Sequence, residues 1–376
     1  MNRPADKVRI AATKGSSGTI IDAIGQFEIV NSLTEPSQAL FEIGSMSSWV
    51  KLKESIEIGT RWAVVVNDRA RLTGRMISRR LPVTSDAGAT VQLTVRTVLA
   101  DAAFASANPF ICLSKCSIKD VILQAYAPLG LGEEDFVFSP RVARDIMTGK
   151  GGGGTDVDLE EIKEDAAKVH PPETIYAFVE RHLARFHLTH WDAPDGRIVV
   201  GAPDYRGQTF YQLRLRRDNP QANNITSAEK IEDYEQTPSV LCVSGLGGGK
   251  DYGKAKVRSA EINTVLNDID PPINRPVFVV DDAVKTQSQA DSRARREMLA
   301  RSRQTDAWTM DVPDLAYWDG SKLIPWGIDT LADVDVEVAG ASARGAYLVH
   351  KTTMKGSASE GYSTSLEMVA RGIWVL

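Results

Sequence analysis

Asp333-Val-Asp-Val-Glu-Val338, Ala346-Tyr-Leu-Val-His-Lys-Thr-Thr-Met354 and Tyr362-Ser-Thr-Ser-Leu-Glu-Met-Val369 decide the fold class of this 376-residue chain. In the first segment Val334, Val336 and Val338 share one side and Asp333, Asp335 and Glu337 the other, the period of a half-buried strand. The other two continue the alternation, and Lys355-Gly-Ser-Ala-Ser-Glu-Gly361 supplies the glycines and serines of a hairpin loop between them. Upstream, residues 285–304 read as a helix leading into Ala307-Trp-Thr-Met-Asp-Val-Pro313 and then a turn, Trp318-Asp-Gly-Ser-Lys-Leu-Ile-Pro-Trp-Gly327. A helix feeding a small antiparallel β unit leaves no place for catalytic chemistry.

Residues 1–107 also read as β. Segments 24–30, 38–43, 61–66, 72–78 and 90–98 alternate apolar and polar residues, with turn signals at 31–36 and 67–70. Strands at about 10-residue intervals argue for a small barrel or sandwich. The texture changes at Ala105-Ser-Ala-Asn-Pro109. Ser117 is placed to cap a helix whose Ile118, Val121, Ile122 and Ala125 line one face, with Asp120 at the third position. Residues 148–156, with four consecutive glycines, form a spacer ahead of an acidic run that reads as helix. From Thr174 an amphipathic helix puts Ile175, Phe178, Val179, His182, Leu183 and Phe186 on one stripe, and Pro194-Asp-Gly196 turns between strands at 187–191 and 197–201. Another strand is expected over 208–216. A second β module follows, including 225–234 and 239–244, interrupted by a polar insertion at 245–274.

The chain is therefore expected to be α+β but mainly β: a first β-barrel at 1–107, a mixed α/β middle domain at 108–219, and a second barrel at 220–376 that carries the insertion and the helix. Composition is that of ordinary globular protein, and a net charge of −5 excludes a basic nucleic-acid clamp acting with its whole surface. Three cysteines, Cys112, Cys116 and Cys242, are too few for a disulfide framework, which fits a reducing cytoplasm, and Cys112 and Cys116 are expected to pack as hydrophobes. No apolar run suits a signal peptide or a membrane span, so stable membrane insertion is not expected.

Several motifs tempt a functional reading. Gly149-Lys-Gly-Gly-Gly-Gly154 has the letters of a dinucleotide loop but lacks a buried strand before it, and Asp156, Asp158, Glu160 and Glu161 would repel phosphate. Gly245-Leu-Gly-Gly-Gly-Lys-Asp251 is one residue short of a phosphate loop, with Asp251 where Ser or Thr is required. His182, His187, His190 and Asp192 cluster in sequence, yet the parities of His187 and His190 send them to different faces. Glu133/Glu134 and Asp281/Asp282 read as solvated loop charge, and no nucleophile elbow exists. The arginines of the 285–304 helix, Arg293, Arg295, Arg296, Arg301 and Arg303, could meet a DNA backbone. Subunit-interface ion pairs suit them better, with Ala290, Ala294 and Met298 packed on the barrel. No catalytic, cofactor-binding or metal residue is assigned.

The order helix, strand, Trp318-Asp-Gly…Ile324-Pro-Trp-Gly327, alternating strand, Tyr347-Leu-Val349, glycine-flanked loop and Ser363-Thr-Ser-Leu-Glu-Met-Val369 resembles the C-terminal barrel of phage tail hub proteins. Glu173-Thr-Ile-Tyr-Ala-Phe-Val-Glu-Arg-His-Leu-Ala-Arg-Phe-His-Leu188 and Trp191-Asp-Ala-Pro-Asp-Gly-Arg-Ile-Val-Val-Gly-Ala-Pro203 are similar to that family's middle domain. The family is the baseplate hub of contractile-tailed bacteriophages, with the late-control and Mu-like tail proteins. The resemblance implies a non-enzymatic homotrimer whose two barrels per chain make a pseudo-sixfold ring between tail tube and central spike, with a channel for DNA ejection. Its implied partners are the tail tube or tube-initiator protein, the spike and other baseplate proteins, with DNA passing the lumen without sequence-specific binding. The implied location is the virion tail, after assembly in the host cytoplasm. Two rivals stay open: an envelope-degrading tail-tip enzyme, and a stand-alone carbohydrate- or DNA-binding β protein.

Overall fold

The computed structural model describes residues 6–12, 20–21, 24–43, 56–84, 88–139, 163–184, 188–203, 207–247, 256–263, 273–280, 287–338, 341–357 and 360–371. The first run of strands is β1 (Val8–Ala12), β2 (Ile20–Ile21), β3 (Gln26–Ser32), β4 (Gln38–Ile43), β5 (Arg61–Val66), β6 (Arg69–Arg80), the small hairpin β7 (Val83–Thr84) and β8 (Gly88–Ala89), and β9 (Val91–Arg96). Alternation does what the sequence implies. Phe27 and Ile29, Phe41 and Ile43, Trp62 and Val64, and Leu93 and Val95 are all buried in one core. Asn67 and Asp68 turn between β5 and β6 with φ of 51° and 61°, the left-handed region that these two residue types tolerate best after glycine. The strand expected over 90–98 stops at Arg96, and Val98 instead opens helix α1 (Val98–Phe104).

The middle of the chain holds β10 (Cys112–Ser117), α2 (Ile118–Tyr126), β11 (Phe136–Phe138), β12 (Lys163–Lys168), α3 (Ile175–Leu183), β13 (Thr189–Asp192) and β14 (Ile198–Gly201). Ser117 caps α2 reciprocally: its Oγ accepts from Asp120 N at 3.1 Å, and Asp120 Oδ2 accepts from Ser117 N at 3.0 Å. Thr174 caps α3 through the Ala177 N–H. The two helices bury Ile118, Val121, Ile122, Phe178, Val179 and Leu183 in a second core. The acidic run read as helix enters the described residues as a strand, for β12 pairs antiparallel with β10. Its polar composition hides a partner choice that only the third dimension reveals. The glycine-rich spacer at 148–156 lies outside the described residues.

The C-terminal part comprises β15 (Tyr211–Leu215), β16 (Ser227–Ile231), β17 (Val240–Gly247), β18 (Lys256–Asn263), β19 (Pro276–Val280), α4 (Gln287–Arg301), β20 (Ala307–Pro313), β21 (Ala316–Trp318), β22 (Leu323–Pro325), β23 (Thr330–Val338), β24 (Ala341–Ser357) and β25 (Gly361–Ala370). The fold is mainly β, as expected. Among the described residues neither expected barrel is seen to close, and the strands of both modules join. Thirteen strands form one sheet, in the order β16-β20-β25-β24-β3-β4-β9-β6-β5-β1-β2, with β23 and β15 joined alongside β24. Among the described residues this path runs open and does not close on itself. The cause is the length of β24. Its first half pairs with β23 and its second half, from Lys351 to Ser357, pairs with Ser32 to Gln26 of β3, so it serves both halves of the chain. The main core accordingly mixes Ile10, Trp62 and Val95 with Leu213, Trp308, Val334 and Met368.

A second rearrangement concerns the insertion. Strands β17, β18 and β19 form a separate three-stranded sheet, so segment 239–244 does not belong to the larger one. Ala290, Ala294 and Met298 of α4 pack on Leu241, Val243, Val277 and Val279 of that sheet, and not on a barrel. The sheet explains why a polar segment interrupts the module: together with α4 it makes its own small core.

Candidate assembly surfaces

Among the described residues, strand β15 lies at an edge of the large sheet, paired only with β23 and parallel to it. Two complementary alternations meet there. Tyr211 and Leu213 point inward beside Ala332 and Val334, while Arg214 and Arg216 emerge on the side of Asp333, Asp335 and Glu337. Arg214 Nη2 meets Asp333 Oδ2 at 2.5 Å, and Arg216 Nη1 meets Asp335 Oδ1 at 2.9 Å. Arg344 Nε adds a second contact to Asp335 at 3.1 Å. Burial pushes the Asp335 carboxyl up, but Arg216 and Arg344 outweigh this and hold it below the usual carboxylate range. The acids expected to face solvent are therefore ion-paired across strands within the chain.

The open edge of β15 is also blocked. Asn224 Oδ1 accepts from Arg214 N at 2.8 Å and Asn223 Oδ1 from Arg216 N at 2.7 Å, while their amide nitrogens donate to the carbonyls of Gln212 and Arg216. These side chains take the backbone groups that an added strand would need. With Tyr317 and Trp318 they border a polar groove of about 490 Å³ suited to side-chain contacts.

The hairpin β13–β14 ties the middle of the chain to the N-terminal strands. Asp192 is buried, and its Oδ2 accepts from Ser37 N and Thr97 Oγ1, both at 2.8 Å. Burial raises its pKa to about 6 against the opposing pull of these bonds. His190 is fully enclosed and its Nδ1 donates to Glu180 Oε2 at 3.1 Å. His182 is buried in the α3 stripe, its ring against Phe178 at 4.8 Å. His187 lies outside the described residues. The histidine and aspartate grouping thus resolves into separate structural contacts, and no set of three or more His, Cys, Asp or Glu residues converges on a metal position among the described residues.

The remaining candidates fall as follows. Cys116 packs against the middle core but Cys112 is exposed, so the expected packing role fails for it, because β10 turns its first residue outward. Glu133 pairs with Lys119 at 2.8 Å, whereas Asp281 and Asp282 lie outside the described residues, as do Gly149–Gly154 and residues 248–251. Arg293 and Arg301 both pair with Glu297 of their own helix, at 2.6 and 2.8 Å. No helix among the described residues is long and apolar enough to cross a membrane.

A cavity of about 510 Å³ opens where all three parts of the chain meet. Asn31 and Arg71 come from the N-terminal strands, Trp191 to Pro194 from the β13–β14 hairpin, and Phe210, Tyr211 and residues 324–325 and 327–331 from the C-terminal part. Tyr211 is fixed at its wall, with its hydroxyl donating to Pro325 O at 3.1 Å and accepting from Gly327 N at 2.9 Å. Local sequence does not single out Arg71, Arg214 or Arg216. The signal for the latter two was present: arginines at a spacing of two match acids at a spacing of two on β23.

The whole arrangement superimposes on known tail proteins. A tail protein from Neisseria meningitidis matches with a TM-score of 0.74 at 18% identity, over 99% of this chain and 98% of its own. The chain has the fold of phage tail proteins. The 43 kDa tail protein of prophage MuSo2 from Shewanella oneidensis matches with a TM-score of 0.73 at 14% identity, covering 98% of this chain and 99% of its own. A type VI secretion component from E. coli, itself described as similar to the T4 tail proteins gp27 and gp5, gives a TM-score of 0.56 at 11% identity over 96% and 76% of the two chains. No family model and no curated protein matches the sequence.

Proposed function

We propose that this chain is a structural subunit of a phage tail baseplate, a hub protein without enzymatic activity. The observation that carries the reading is the large sheet to which both halves of the chain contribute, in a fold that matches tail proteins from end to end. In this reading the chain divides near residues 107 and 219 into two β modules and a middle domain. Three copies place six β modules in a ring, which meets a sixfold tail tube on one side and a threefold spike on the other and leaves a channel for DNA. The tube or tube-initiator protein, the spike and other baseplate proteins are its partners, and the assembled virion tail is its location after assembly in the host cytoplasm. The groove on β15 and the cavity at the three-way junction offer side-chain contact surfaces, while the Asn223 and Asn224 caps disfavour strand addition at that edge.

Light scattering on purified protein tests the assembly. Three chains per particle are expected, or a monomer that becomes a trimer when spike or tube protein is added. A monomer that persists with both partners present sinks the hub reading.

A further inference from the structure

One register row of the large sheet carries opposite charge at its two ends. On the N-terminal side Arg61, Arg75 and Arg96 stand directly opposite one another on β5, β6 and β9. From Arg96 the row passes through Gln38, Val30, Thr353 and Ser365, all uncharged, and reaches Asp311 on β20. The row lies on the face turned away from the main core, which is filled instead by the alternate residues Ile29, Ala39 and Val95. Like charges directly opposite destabilise a sheet, and compensation within the chain is partial. Arg75 meets Asp101 at 3.5 Å, both side chains partly exposed. Arg96 has no carboxylate within ion-pair distance among the described residues, and its guanidinium lies 5.6 Å from the ring of Phe104, which is 75% exposed. At the other end Glu229 of β16 stands beside Asp311, on the same face, and neither has a cation within ion-pair distance among the described residues. The exposed Asp233 and Glu235 follow. Asp311 and Arg96 are five strand steps apart, about 24 Å at roughly 4.8 Å per step, too far to pair within one chain.

We propose that the arginine row of one copy docks against the acidic β16–β20 edge of a second copy, head to tail, with Phe104 at the border of the contact. Charge complementarity carries the choice of occupant: each surface holds what the other lacks, and a single contact satisfies both. Arginine and aromatic side chains are also enriched at protein interfaces. A DNA backbone would meet only the arginines, would leave the acids uncompensated and would face a net charge of −5. Two unlike surfaces on one chain make a heterologous contact, which closes into a ring when the rotation allows. The inference rests on the hub reading and names the surfaces through which its copies meet.

Sedimentation equilibrium of the full chain, with charge reversals on either surface, tests it. Arg75→Glu with Arg96→Glu should weaken self-association about tenfold or more, and Glu229→Lys with Asp311→Lys should do the same. All four changes in one chain should restore association to near the wild-type value, because each contact again joins opposite charges. The two double variants, mixed, should associate with each other yet fail to close a three-membered ring, since an odd ring of alternating copies must contain one contact between like charges. Should a reversal fail to fold, Arg75→Gln with Arg96→Gln must still weaken association, and more at low salt than at high. Association that ignores the reversals, a fourfold variant that does not recover, or a mixture that forms trimers overturns the proposal and leaves the hub reading standing. So does a wild-type chain that binds a short DNA duplex through Arg75 and Arg96 while its self-association is unaffected by their reversal. A wild-type chain that stays monomeric alone overturns this contact, and the hub reading falls with it only if spike and tube proteins also fail to assemble the chain.

Discussion

At the scale of single residues, neighbours on β23 carry very different loads. Val336 is 2% exposed in the main core, so Val336→Asp places an unpaired charge there and should cost on the order of 4 kcal/mol or more, enough to abolish soluble folding. Asp335→Ser removes two partly exposed ion pairs and should cost about 1–2 kcal/mol, read as a lowered denaturation midpoint. Equal tolerance at the two positions would show the face assignment to be wrong. Two buried titratable groups act in opposite directions with pH. His350 is held down to about 4 by burial, with Arg303 and Lys351 adding to it, so its contribution is present above its unfolded value of about 6.5 and is lost as pH falls through about 4. Asp192 is raised to about 6, so its contribution is full below its unfolded value of about 3.9 and is lost as pH rises through about 6. Relative to wild type, His350→Leu should therefore gain thermal stability on going from pH 7.5 to pH 4. Asp192→Asn should lose ground on going from pH 7.5 to pH 5. Differences in midpoint that do not change with pH would refute both assignments.

At the scale of elements, α4 and its three-stranded sheet make a small core of their own. Ala294→Glu should detach α4 and expose Leu241 and Val243 to proteolysis while leaving the near-ultraviolet signal of Trp62 and Trp308 in place. Loss of that signal would mean that the small core is coupled to the large sheet. Each strand face was legible in the sequence because period two reports burial directly, as at Val334 and Val336. The helix caps at Ser117 and Thr174 were legible because they are local. Pairing partners were not. Nothing in Lys163-Glu-Asp-Ala-Ala-Lys168 names β10 as its neighbour, and nothing in residues 351–357 names β3. The β15 surface was half legible, since the acids stood out and the arginines that neutralise them lie more than 100 residues away.

At the scale of the molecule, the seam between β24 and β3 decides whether the two halves behave as one. Gly356 sits in this seam, and a Cβ there would fall 2.4 Å from the Tyr362 ring and 2.6 Å from that of Phe27, so Gly356→Ala should force the strands apart. Hydrogen exchange at the amides of Ile29 and Val30 should then accelerate at least tenfold, together with that of Met354. Unchanged protection in β3 would mean that the N-terminal strands are stable without their C-terminal neighbour.

The partners across this seam are more than 300 residues apart in the chain, and that separation sets an order of events during synthesis. A ribosome adding about 5–20 residues per second releases β3 long before Lys351 to Ser357 exist, leaving one edge of the nascent N-terminal sheet bare for roughly a quarter of a minute to a minute. Such an edge is open to any extended chain nearby, including a neighbouring copy on the same messenger. It is the emergence of β24 from the tunnel that closes this exposure, and fragments ending before residue 341 should be recovered as aggregates unless a chaperone holds them.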